Sequence, residues 1–367
     1  MKLRKWFWLS LCFLTFWTIT ACSEDNGGID NGGGDIEDVD PSERIFILYE
    51  GNMDGNDAGM DMYSPTGGEN EASLFIGNVY MSQNGEGLGD TGQDMIAHGD
   101  YLYASITGSY ILVKMTDAAK KVATVHFDAD DGQPRYLAAK DGKVYVTLYG
   151  GYVAKIDAAT FQIEGKVRVG SNPEGIVECD GKLYVCNSGW GYDNTLSVID
   201  LATFEVEKTV EVAANPNEIV ASEGKIFVMS YGAAYPDPFD YQVQMYDPAT
   251  EEVTRLANAT KLAEYNGKVF IVYSDTDWNT YTTTNTFATY DVQKNELVTG
   301  PFLSEMPDAL NKNAIYMLDI DPRNGDFYLS VSDYVSNGTI YRFNNEGKLI
   351  DTMNSYGLNP TKTVFVD

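Results

Sequence analysis

The chain has 367 residues, 44% of them hydrophobic, and a formal charge of −29. An acidic balance of this size excludes nucleic acid, which needs a basic stripe, and excludes adhesion to anionic lipid. The length is ample for a large core.

Lys2, Arg4 and Lys5 open the chain, and residues 6–16 form an apolar run too short to predict a spanning helix. The run ends in Ile19-Thr20-Ala21-Cys22, which resembles the cleavage box of bacterial lipoproteins. That resemblance implies removal of a signal peptide over 1–21 and a lipid anchor on Cys22; an ordinary secretory leader is the alternative. Several acyl chains, at about 0.8 kcal/mol per buried CH₂, make a firm anchor. Ser23-Glu24-Asp25 resembles the acidic signal of surface lipoproteins in gut Bacteroidota, so the expected location is the outer membrane, facing outward. Loss of Lys2, Arg4 and Lys5 with the leader takes the charge from −29 to −32. Residues 22–41, rich in Gly and Asp, predict a flexible acidic tether, and residues 42–367 the folded domain.

A phrase then recurs along the chain: a strand, a turn such as Asp-Gly, a strand G-K-apolar-aromatic-apolar, a loop, a strand ending in Asp, an Ala-Thr turn and a fourth strand. It is clearest over 132–169, 172–212 and 215–256, with looser copies at 93–127, 259–303 and 313–353. The marker aromatics are Phe46, Tyr103, Tyr145, Tyr184, Phe227, Phe270 and Tyr328. Four short strands in about 40 residues is the signature of a propeller blade. The chain ends LNPTKTVFVD, like the start of a blade, and its folded part begins RIFILYEGN, like a second strand. The expected fold is therefore all-β: a seven-bladed β-propeller with four antiparallel strands per blade. Its ring is closed by the C-terminal strand pairing with N-terminal strands. A six-bladed ring with one long excursion is the alternative.

Sorting the loops by the end of the blade on which they fall separates two kinds. Strand 1–2 and 3–4 connections are short turns such as CDGK (179–182) and DLATFE (200–205), which read as structural. Strand 2–3 and interblade connections are long and aromatic. They include NSGWGYD (187–193), YGAAYPDPFDY (231–241), SDTDWNTYTTT (274–284) and SDYVSNG (332–338). Aromatics gathered on one face predict a recognition surface. The candidate ligand-binding residues are Tyr110, Arg135, Tyr149, Tyr152, Asn187, Trp190, Tyr192, Asp193, Tyr231, Tyr235, Asp275, Trp278, Tyr281 and Tyr334, with Asn279 and Asn285 as further amide partners.

Catalytic and metal patterns are weak. His98 and His126 both fall outside the aromatic loops, and no GxSxG, HExxH or CxxC occurs. Residues 52–57 alternate oxygen side chains but lack the distal glutamate of a calcium loop, so an Asx-rich turn is expected. Cys179 and Cys186 flank a two-residue turn and stand roughly 13 Å apart along the strand, too far for a disulfide. They read as packed free thiols. No cofactor, metal or enzymatic activity is expected.

The repeat NP-x-x-[IV]…[DE]GK[LVI][YF]V…D-x-[AT]T resembles the YncE-like seven-bladed propellers across residues 44–367. With the lipoprotein box, the acidic signal and YEGNMDGNDAGMDMY (49–63), the chain is similar to Bacteroidota surface propellers of the BtuG type. This resemblance implies capture of a corrinoid, cobalamin or cobinamide, and its transfer to a TonB-dependent outer-membrane transporter. A glycan-binding surface lipoprotein and a protein-interaction scaffold remain as alternatives.

Overall fold

The structure, a computed structural model, describes residues 36–66, 72–234, 237, 239–277, 279–280 and 282–366. The leader, Cys22, Tyr235, Trp278 and Tyr281 lie outside the described residues. Seven four-stranded antiparallel sheets form the seven blades. The split blade pairs Pro360–Phe365 from the C-terminus with Ile45–Tyr49, followed by Gly59–Ser64 and Leu74–Ile76. Ile45 sits opposite Phe365 and Ile47 opposite Thr363, so the last strand is the innermost strand of the first blade. Counting from this blade, the other inner strands are Gly92–His98, Pro134–Lys140, Pro173–Cys179, Pro216–Ser222, Lys261–Tyr265 and Ile315–Ile320.

The core is not one mass. Seven apolar clusters each join one blade to the next. Phe46, Leu48 and Met62 of the first blade meet Met95, Leu102 and Met115 of the second, and Ile45, Ile47 and Tyr63 meet Tyr328 and Ile340 of the seventh. Runs such as Lys182–Asn187 are buried almost throughout because both sheet faces are covered. No sheet can be removed without exposing two such clusters.

The two ends of the blades differ as the loop lengths predict. At the plain end, Asp141-Gly142, Asp180-Gly181, Glu223-Gly224 and Asn266-Gly267 all take positive φ, as a two-residue hairpin turn requires. In the 3–4 turns the carboxylates of Asp157 and Asp200 accept from the backbone of Thr160 (2.7 Å) and Thr203 (2.9 Å). Residues 36–44 lie against this end: Ile36 and Val39 enter the first apolar cluster, and Arg44 donates to the carbonyls of Val39 (2.7 Å) and Asp117 (3.0 Å).

At the other end, six of the seven inner strands begin with a register shift in which one extra residue opposes the second strand. Only the blade-six strand, Lys261–Tyr265, pairs without it. The residue ahead of it in three of these blades is Asn172, Asn215 or Asn359, each left-handed. Asn is the non-glycine side chain that best tolerates this backbone, which accounts for the recurrent Asn-Pro. The shift re-aims successive side chains into the central channel.

Ring closure yields a direct expectation. Deleting residues 358–367 strips Ile45–Tyr49 of its inner partner and should abolish cooperative thermal unfolding, followed by circular dichroism. A synthetic 358–367 peptide added in excess should restore it; an unchanged melting curve in the truncated chain would contradict the closure.

Candidate functional site

Eight of the large hydrophobic side chains left exposed among the described residues stand on the long-loop end: Met53, Tyr110, Trp190, Tyr192, Phe239, Tyr334, Val335 and Tyr356. The plain-end turns carry none of them. Tyr192 is 85% exposed, Phe239 68%, Tyr334 65% and Trp190 64%. Single exposed apolar residues are ordinary, but a one-sided set is not.

The backbone beneath this rim is unusual. Tyr110 (φ 56°), Trp190 (φ 52°) and Tyr334 (φ 60°) all adopt the left-handed conformation, which bulky residues avoid. Phe161 and Phe204 do so too at plain-end turns, but there each ring packs against Tyr103 or Tyr145, both at 5.9 Å, and the packing offsets the strain. On the rim Trp190 and Tyr334 each touch one ring edge-on yet remain 64% and 65% exposed, and strain held with so little burial is the kind found at functional sites. The Trp190 loop is braced at its back: Gly191 accepts from Ala234 N (3.1 Å) at a distance where a Cβ would strike that backbone.

The rim leads inward through aromatic contacts to the channel. Trp190 stands edge-on to Tyr149 at 5.8 Å, whose hydroxyl donates to Glu174. Arg135 lies 4.7 Å over the Tyr149 ring, donates to Glu174 Oε2 at 2.8 Å and reaches Gln93 Oε1. Across the mouth, Tyr334 is edge-on to Tyr316 at 5.6 Å, and Tyr316 donates to Glu50 Oε2 at 2.5 Å. Lys261 pairs with Glu218 Oε1 beside them. A third aromatic group, Phe239, Tyr241 and Tyr231, stands nearby with ring separations of 5.5 and 5.7 Å.

Below this collar the channel holds a cavity of about 200 Å³ lined by Tyr136, Glu218, Lys261, Tyr316, Asp94 and Lys362, among others. Burial opposes charge on Lys261 and Arg135, yet Glu218 and Glu174 outweigh it and raise both above their ordinary ranges. Burial pushes Glu50 upward, and pushes Asp94 up to about 6. Asp61, buried beside the rim and accepting from Asn78 N, Tyr356 N and Ser355 Oγ, is likewise pushed up to about 6 by burial.

The remaining candidates fall elsewhere. Asn187 is fully buried: its Oδ1 accepts from Gly170 N, and its Nδ2 donates to Thr195 and Ser197, each at 3.0 Å. It holds the loop rather than facing a ligand. Asp193 also turns inward, accepting from Asn194 N and Thr195 Oγ1 at 2.8 Å. Tyr152 packs into the cluster between the second and third blades and meets Arg168 on the outermost strand. The segment 274–284 is mostly not a loop: Lys268–Asp277 and Thr282–Asp291 pair as a long hairpin, with Asp275 exposed opposite Thr284. The β-branched threonines at 282, 283, 284 and 286 favour the strand there. Asn279 is exposed at the tip, and Asn285 donates to the carbonyls of Leu310 and Asn313, anchoring the short helix Asp308–Lys312.

Glu50, Glu174, Glu218, Lys261, Tyr136 and Tyr316 were not among the candidates. Glu50 follows the second strand Ile45–Tyr49; for the other five the signal was a charge or tyrosine just inside the opening of an inner strand, as in NPE, NPNE or TK, where a strand packed only on apolar neighbours would carry none. His98 lies at the plain end, accepting from Gly142 N, and His126 ends an outer strand. The 52–57 loop closes on itself through Asp57, which accepts from Asn52 N and Nδ2 at 2.7 Å, and no metal-binding cluster occurs among the described residues. Cys179 and Cys186 are free.

No protein-family model matches the chain, and no curated protein sequence matches it. Solved structures do. Hydrazine synthase of Kuenenia stuttgartiensis aligns with a TM-score of 0.59 at 17% identity, covering 73% of this chain and 87% of that one. BamB from Moraxella catarrhalis aligns at 0.51 and 12%, covering 85% and 83%. The Pan2 WD40 domain of Neurospora crassa aligns at 0.52 and 13%, covering 73% and 79%. At these identities the likeness shows the fold alone: the chain is a seven-bladed β-propeller. The fold by itself assigns no function and is compatible with a ligand-binding or protein-interaction scaffold.

Two expectations follow. Asn187→Ala should cost about 2–3 kcal/mol of stability by leaving buried partners unmet, whereas Trp190→Gly should leave stability unchanged or raise it by up to about 1 kcal/mol, both read from denaturant unfolding. Asp61 and Asp94 should titrate near pH 6 in the folded protein, followed by carboxyl carbon resonances. Since their folded values are raised, their contribution to stability is full below about pH 4 and is lost as pH rises through 6.

Proposed function

We propose that the long-loop face is a capture surface for a broad, flat ligand edged with hydrogen-bonding groups, and that the ligand is a corrinoid. The supporting observation is the rim itself: exposed Trp190, Tyr192 and Tyr334 around a charged collar, with Trp190 and Tyr334 on strained backbone. Aromatic faces give wide flat contact at small entropic cost. A corrin is a disc bordered by amides, and the resemblance to BtuG-type lipoproteins supplies the same ligand class. In this reading the protein is held at the outer surface of the outer membrane through Cys22 and passes its ligand to a TonB-dependent transporter. A chain at −32 favours cationic cobinamide over cobalamin, which carries the nucleotide phosphate.

The test is a titration of the mature chain with cyanocobalamin and with cobinamide, followed by tryptophan emission with inner-filter controls and by retention on ultrafiltration. Trp190 and Trp278 are the only tryptophans after the leader. Binding of one ligand per chain with quenching is expected, with cobinamide tighter at low salt. The triple variant Trp190→Ala, Tyr192→Ala, Tyr334→Ala should weaken it by about 30-fold or more while melting as the wild type does. Absence of both retention and quenching would overturn the corrinoid reading and move the search to glycans.

A further inference from the structure

The collar at the channel mouth has hydrogen-bonding capacity that the fold does not use. Both oxygens of Glu218 are taken, by Lys261 Nζ and Leu262 N, and both of Glu174, by Arg135 Nε and Tyr149. The donors are less spent. Lys261 Nζ has Glu218 as its one hydrogen-bond partner among the described residues, and Arg135 uses Nε and Nη1 but not Nη2. The hydroxyls of Tyr136 and Tyr231 have no hydrogen-bond partner among the described residues, although burial drives both far from ionisation, with Glu174 and Glu218 close to each. Tyr136 faces the 200 Å³ cavity that opens beneath the mouth.

Charge and hydrogen-bonding capacity therefore point in different directions. Glu50, Glu174 and Glu218 against Arg135 and Lys261 leave the collar net negative, which opposes an anion. The unspent groups are mainly donors, which oppose a cation. A neutral group with a strong acceptor satisfies both. We propose that the channel mouth is a subsite for one neutral carboxamide arm of the captured ligand, inserted from the aromatic face between Tyr136, Tyr231 and Lys261. The site deepens the capture reading and rests on it for the molecule that carries the arm. The cavity admits a short arm and not a macrocycle, so the disc stays on the rim while one substituent enters. Hydrogen bonds made there out of bulk water fix the ligand's rotation about the propeller axis, a degree of freedom that flat stacking alone leaves open.

The experiment uses the full mature chain labelled with ¹³C at tyrosine ζ, with Tyr136 and Tyr231 assigned from Tyr136→Phe and Tyr231→Phe. Three small probes, one neutral, one anionic and one cationic, are titrated to high millimolar concentration: acetamide, acetate and methylammonium. Acetamide is expected to shift both resonances saturably, with the other two at least about fivefold weaker. In Tyr136→Phe/Tyr231→Phe, which breaks no hydrogen bond among the described residues, saturation-transfer signal from acetamide should disappear. Against cyanocobalamin the same double variant should raise Kd about tenfold. Tighter acetate or methylammonium binding, or no response to any probe, overturns the subsite. Acetamide binding without corrinoid retention keeps the subsite and overturns the capture reading; corrinoid retention without acetamide binding does the reverse.

Discussion

The inner strand of every blade has a free edge. Its outward N–H groups have no sheet partner, and a buried donor left unmet costs stability. In three places a carboxylate of one blade's inner strand meets this need on the next: Asp94 accepts from Leu137 N at 2.9 Å, Glu218 from Leu262 N at 3.2 Å, and Asp319 from Thr363 N at 2.6 Å. Hydroxyls treat the carbonyls similarly, Thr107 donating to Pro134 O and Ser330 to Pro360 O, both at 2.7 Å. A ring whose inner edge must be satisfied by acids cannot have an apolar bore. The polar channel, its raised acid pKa values and its paired lysines follow from that one requirement.

The outer layers obey a different demand. Between blades the contacts are apolar and repeat seven times, so each blade is held by its neighbours and the chain ends can be stitched at any blade. That leaves the exposed tips of the loops at one end with little structural duty, because their bases are held by residues such as Asn187 and Asp193. Long aromatic loops are tolerated where the scaffold does not depend on them, and this freedom puts Trp190 and Tyr334 in strained backbone without endangering the fold.

Much of this was legible in the sequence, and the limits are instructive. Blade number, strand order and the split blade were readable because each rests on a period or on a local phrase such as Asp-Gly. Which face is aromatic followed from loop order alone. Orientation within a loop was not readable: Asn187 and Trp190 are three residues apart, yet one is sealed under Gly170 and the other faces water. Threonines 282–284 read as loop because a tryptophan and an asparagine precede them, while β-branching carries the hairpin outward. The channel charges were visible as residues, but which of them turn inward depends on how the paired strands are set and not on the local sequence.

The stretch from Ile36 to Arg44 bears on how the whole molecule would sit. It is clamped across the plain end by Ile36, Val39 and the Arg44 guanidinium. A lipid on Cys22 would leave thirteen residues before that clamp, a leash of at most roughly 45 Å at full stretch. The propeller would then stand with its turns toward the bilayer and its aromatic bowl open to the medium. Under the proposed capture role that posture would suit collecting a scarce solute, and delivering it to a pore in the same bilayer would require the disc to tip over on its leash. The leash would set how far from its anchor the protein could deliver.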